Sequence, residues 1–113
     1  MANTNVFFRL FAGDDETINL TAIDDSGATI NISSASAIVW KLAQDERSTA
    51  TVTKSLGSGV ALVGGGSGGI FSVAIDAADS TGLDGTYYHS ATVTLSSDVT
   101  HVTIGTIWFR PAI

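Results

Sequence analysis

His89 and His101 are the only imidazoles in a chain that has no cysteine. A metal centre built on them would need both rings and nearby carboxylates to meet across a hairpin. Without cysteine there are no disulfides, zinc knuckles or thiol nucleophiles. The acids gather as Asp14-Asp15-Glu16, Asp24-Asp25 and Asp76/Asp79/Asp84. Brought to one end of a domain they could hold calcium, a hard cation that takes oxygen ligands. No D-x-D-x-D-G spacing is present, however, and solvated turns account for the same residues. Paired carboxylates for glycoside cleavage would need a cleft that so small a domain seldom forms.

The run Gly64-Gly65-Gly66-Ser67-Gly68-Gly69 matches two catalytic patterns by letter. G-x-G-x-x-G cradles a pyrophosphate only when a helix follows the loop, and Ile70–Ile75 reads as a strand. G-x-S-x-G strains its serine between a strand and a helix of a much larger domain. Both matches are read as coincidence in a Gly/Ser loop. Asn19-Leu20-Thr21 and Asn31-Ile32-Ser33 are formal glycosylation sequons, uninformative without a secretion signal. No catalytic, cofactor or metal site is therefore assigned, and a buried, hydrogen-bonded His89 with a surface His101 is expected.

The elements that position these residues follow a period of two. Asn5–Phe11 turns Val6, Phe8 and Leu10 to the core and Phe7 and Arg9 away. Thr17–Ile23 sends Ile18, Leu20 and Ala22 inward. Ala37–Leu42 reads as a central strand whose Trp40 is the core tryptophan of a sandwich. Thr49–Lys54 reads as a polar edge strand, and Val60–Val63 and Ile70–Ile75 as a hairpin joined by the flexible glycine loop. Asp76–Asp84 holds the only plausible helical turn. Thr86–Leu95 and Val99–Phe109 form the longest hairpin. Ile104 and Ile107 fall on opposite parities in its second strand, so a bulge is expected at Gly105. With Ile107 and Phe109 inward, Trp108 points outward beside Arg110, a pairing enriched at interfaces. The fold class is all-β, a single immunoglobulin-like sandwich of about seven to eight antiparallel strands. It spans 1–113, with short arms at 1–5 and 109–113.

Composition narrows the partners. The chain is 113 residues long, 44% hydrophobic and 14% charged, which suits one folded domain and excludes disorder. Five Lys and Arg stand against 11 Asp and Glu, for a net charge of −6. The cations are scattered, which argues against nucleic acid and anionic membrane. No apolar run is long enough for a membrane helix, and Met1–Leu10 lacks the basic region of an export signal. A soluble protein is expected.

The order FRLFAGDDETINLTAID, SASAIVWKLAQ, GIFSVAIDAADS, GTYYHSATVT and GTIWFRPAI resembles the immunoglobulin-like domain of tailed-phage structural proteins, including the N-terminal domain of baseplate upper proteins. The most specific pieces are Gly85-Thr86-Tyr87-Tyr88-His89, Gly105-Thr106-Ile107-Trp108-Phe109 and Asp14-Asp15-Glu16-Thr17. The resemblance implies a non-enzymatic virion part, assembled in the host cytoplasm, and no active site to carry over. A baseplate upper protein continues into a region that carries receptor-binding subunits, whereas this sequence stops at Ile113. The expectation is a domain acting alone, as a capsid decoration or cement protein, with a small tail or baseplate component as the alternative. Its partners are other virion proteins, the major capsid protein or tail and baseplate proteins, and further copies of itself. Contacts are expected at Asn3 and Asn5, at Thr51 and Thr53, and at Trp108, Arg110 and Ile113. The competing class is a carbohydrate-binding adhesion module, which predicts exposed aromatics grouped on one sheet face; Tyr88 and Trp108 are the apparent outward pair.

Overall fold

The computed structural model describes residues 3–23, 26–45, 50–96 and 98–110, with the backbone alone for 3–7 and 101–104. Eight strands follow in chain order: β1 (Asn3–Phe11), β2 (Glu16–Thr21), β3 (Ala37–Ala43), β4 (Val52–Leu56), β5 (Gly59–Leu62), β6 (Ile70–Ile75), β7 (Gly85–Leu95) and β8 (Asp98–Arg110). One helical turn, α1 (Ala77–Ser80), lies between β6 and β7. The strands join in one mixed sheet of order β1-β8-β7-β3-β4-β5-β6-β2, curled almost into a barrel.

The period-two pattern explains both the strands and the curl. Leu10, Ile18, Leu20, Ile38, Trp40, Leu42, Val60, Phe71, Val73, Ile75, Tyr87, Ala91, Val93, Ile107 and Phe109 all face inward and form one continuous core. Each large side chain buried there contributes roughly 1.5–3 kcal/mol, so a flat sheet with this face in water would not persist. Curling brings β2, β5 and β6 over β3, β7 and β8, and their inner faces cover one another.

Two pairings are parallel, where an all-antiparallel set was expected. β1 runs parallel to β8, and β4 touches β5 in parallel over Ser55–Gly59 and Leu56–Val60. An extended parallel pair needs a long connection, so β1 pairs with a strand remote in sequence, whereas the two-position β4–β5 contact is joined by Gly57-Ser58 alone. Gly13, at φ +87°, turns the chain after β1 away toward β2 on the far edge. Pairing with β8 also absorbs residues expected in arms: Asn3 and Asn5 lie in β1, and Phe109 and Arg110 in β8. Ile113 lies outside the described residues.

Three local expectations are corrected. β4 is interior in the strand order, although β5 covers only its last two residues, so Thr51 and Thr53 stay exposed. The bulge in the β7–β8 hairpin is at Val102. Ala91 faces Thr103 while Thr92 faces His101, and Gly105 is in regular register opposite His89. The glycine loop is pinned where a flexible connection was expected. Gly66 carbonyl accepts from Ile32 N–H at 2.9 Å, and Gly69 carbonyl from Ala22 N–H at 2.7 Å. At Gly69, φ is +82° and a Cβ would sit 2.8 Å from the Ile30 carbonyl oxygen, so only glycine lets the backbones approach this closely.

Candidate functional site

Parallel pairing of β1 with β8 sets Arg9 opposite Trp108 and Phe11 opposite Arg110. Because Leu10, Ile107 and Phe109 are buried, alternation turns all four partners outward. Phe11 is 48% exposed and Trp108 37%. The Arg110 guanidinium lies 5.4 Å from the centroids of both the Phe11 and Trp108 rings, and that of Arg9 5.8 Å from the Trp108 ring. Exposed cation–π contacts of this kind contribute about 0.5–1 kcal/mol each. The result is an aromatic floor, held in place by two guanidiniums, on rigid paired strands. It concentrates two of the chain's five cations on a protein of net charge −6.

The face continues across β7 and β3, where Thr86 lies opposite Trp108 and Tyr88 opposite Thr106 and Ala43. Tyr88 is half-buried and makes no ring contact with Trp108; the guanidiniums are the neighbours of the indole. Thr53 faces Lys41, which faces Ser90, so it belongs to the same broad outer surface farther along the strands. Trp108 and Arg110 are thus brought together, while Thr51 and Thr53 stand apart from them. The backbones of Asn3 and Asn5 lie on the same β1–β8 edge. Arg9 and Phe11 were not singled out from the sequence as site residues. Inward Phe8 and Leu10 imply their outward parity, but only the pairing with β8 shows that they join Trp108.

The opposite face of the same strands is closed to partners. Trp40 is fully buried, and its Nε1–H donates to His89 Nδ1 at 3.3 Å. With Nδ1 accepting, the neutral ring carries its proton on Nε2. The rings of Phe8 and Trp40 lie 5.9 and 6.1 Å from that of His89. His89 is a hydrogen-bonded core residue, as expected; His101 is opposite Thr92, and its side chain lies outside the described residues.

Asp15, Asp76 and Asp79 serve the fold at the turns. Ala77 N–H donates to Asp15 Oδ1 at 2.7 Å, and Gly13 N–H to Ser80 Oγ at 2.8 Å, binding the β1–β2 turn to α1. Asp76 and Asp79 form a capping box, and Lys54 Nζ reaches Asp79 at 2.6 Å and Asp76 at 3.8 Å. Burial alone pushes the Asp79 carboxyl up. The hydrogen bond and charge of Lys54 and the Asp76 N–H outweigh it and hold the group below its usual range. Among the described residues no three His, Asp or Glu side chains gather to hold a metal, and no helix is long and apolar enough to cross a membrane. Asp24-Asp25 lies outside them. The glycine loop runs directly into β6, so neither catalytic pattern has its helix. No protein-family model and no curated protein sequence matches the chain.

Proposed function

We propose that this chain is a non-enzymatic adhesive module of immunoglobulin-like topology, an accessory structural protein of a tailed-phage virion that decorates the capsid. The observation that carries the adhesive reading is the Phe11, Trp108, Arg9 and Arg110 face. It combines the residue types that dominate binding hot spots with a backbone already ordered by pairing. The strand order supports the topology. β8-β7-β3-β4 and β2-β6-β5 follow the G-F-C-C′ and B-E-D orders of an immunoglobulin sandwich, with β1 added beside β8. The phage setting rests on the resemblance of the GTYYH and GTIWF segments. A cement protein of this kind stabilises a shell by binding the assembled surface and not loose subunits. Many weakly bound copies then act together.

The test is immunogold labelling of purified particles, followed by cosedimentation of the Trp108→Ala variant. Label over the head, with cosedimentation lost in the variant, supports decoration. Label confined to the tail moves the module to the tail or baseplate, and unlabelled particles overturn the virion assignment.

Grouped aromatics favour a second reading, a glycan-binding face. Two guanidiniums already lie over the indole, leaving less of it for a sugar ring to stack on, which favours a protein partner. Glycan-array binding that disappears in Trp108→Ala would reverse that preference.

A further inference from the structure

We infer that the Phe11–Trp108–Arg110 face is a contact between two copies of this chain related by a two-fold axis, with Arg110 of each copy meeting the acidic turn at Asp14 of the other. The inference deepens the adhesive reading of this face, on which it rests, by naming the occupant as a second copy. Three observations carry it.

First, a cation and an anion stand on adjoining segments without pairing with one another. The turn starts where the exposed face ends: Ala12 N–H donates to the Arg110 carbonyl at 2.8 Å, and Asp14 N–H to that of Phe11 at 3.4 Å. Yet the Arg110 guanidinium makes no ion pair with any described residue, its contacts being the two aromatic rings. Asp14 is exposed, and its carboxylate has no partner among the described residues. Neighbouring Asp15 is engaged by Ala77. One cation and one anion are therefore both available.

Second, this arrangement is self-complementary. A two-fold contact lays the same patch on itself in reverse, so adjacent positive and negative spots meet their opposites twice. Third, the two spots adjoin exposed aromatic surface, Phe11 at 48% and Trp108 at 37%, which the contact would cover. Net charge of −6 disfavours random self-contact, and this is a place where association sets cations against acids. Thr51, Thr53 and the Asn3–Asn5 edge stay outside this contact, free to meet a larger assembly as a bivalent pair.

The test uses the intact chain in sedimentation equilibrium, from micromolar to millimolar concentration, at low and high salt. The expected result is a species of twice the chain mass whose affinity falls with salt. Arg110→Glu and Asp14→Arg should each sediment as folded monomers, because each sets like charges together at both ends of the contact. Mixed in equal amounts they should pair at least about tenfold more tightly than either alone. In the mixed pair the introduced carboxylate meets the introduced guanidinium at one end, and the native Asp14 meets the native Arg110 at the other. A monomeric wild type, a mixture that stays monomeric, or a ladder of species beyond the pair overturns the inference. Circular dichroism checks folding. If either variant fails it, the wild type decides through its own emission. Association must blue-shift the exposed Trp108, while the buried Trp40 of a Trp108→Phe variant stays constant, and an unchanged wild-type spectrum overturns the contact. Particle binding is scored separately: a monomer that still binds particles loses the pair and keeps the docking role, and a pair that ignores particles does the reverse.

Discussion

Trp40 and Trp108 are the chain's two tryptophans, set on the opposite faces of one curled sheet. Trp40 is fully enclosed, with its Nε1–H given to a buried histidine. Trp108 lies on the outside, with arginines for neighbours. Neither residue type nor strand propensity separates them. Each role follows from parity and from the strand alongside: β3 sits between β7 and β4, whereas β8 sits next to β1, which supplies Arg9. Parity encloses Trp40 even though a cation, Lys54, is its partner on β4, and leaves Trp108 outside with Arg9 and Arg110 over its ring.

The largest test of that contrast is Trp40→Ala, expected to cost about 3–5 kcal/mol in urea unfolding. Against a total of roughly 5–15 kcal/mol for a domain of this size, that leaves the fold near its threshold. Trp40→Phe retains much of the volume but leaves His89 Nδ1 without its donor, for about 1–3 kcal/mol. Trp108→Ala should shift stability by no more than the cation–π contacts it removes, about 1–2 kcal/mol in all, while abolishing particle or partner binding. Equal unfolding costs for the two alanine variants would break the comparison.

The glycine loop repeats the same contrast on backbone. Gly69→Ala must hold a positive φ and push against the Ile30 carbonyl, and should lose about 1–3 kcal/mol in thermal unfolding. Gly68→Ala has open space and an ordinary φ, and should change stability by less than about 0.5 kcal/mol. Matching losses at both positions would show the loop to be unpinned.

The smallest effect is at Lys54–Asp79, a partly exposed pair expected to contribute under about 1 kcal/mol. The folded carboxyl titrates below its ordinary value of 3.8, so its contribution is complete above that pH and is lost as pH falls through the folded value. Urea midpoints of the wild type and Lys54→Met should therefore differ near neutrality and converge in acid. A gap unchanged at low pH would remove the pair from the stability of the α1 corner.

Alternation makes much of the fold legible. Ile18, Leu20 and Ala22, then Ile38, Trp40 and Leu42, then Tyr87, His89, Ala91 and Val93 all face the core as their spacing predicts. What alternation cannot encode is which strand lies beside which. The parallel neighbour of β1, the inner place of β4 and the bulge at Val102 depend on contacts between remote segments. The surface site divides the same way. Trp108 and Arg110 are visible in the sequence as an outward pair, whereas Phe11 joins them only through register across the β1–β8 seam. The glycine loop departs from its sequence reading for a related reason. Composition suggests slack, and only the approach of Ala22 and Ile32 reveals that glycine is there for closeness.

The β1–β8 seam also acts as a clock. Arg9 and Phe11 come from the first strand and Trp108 and Arg110 from the eighth, so no fragment of the chain displays the outer face alone. A ribosome delivers the two halves at opposite ends of its work on this domain, and pairing so remote in sequence is intrinsically slow. Nascent and half-folded copies are therefore mute toward any partner that reads this face. On the adhesive reading proposed above, stickiness would arrive only with the closed fold, and unfinished molecules would stay out of any assembly.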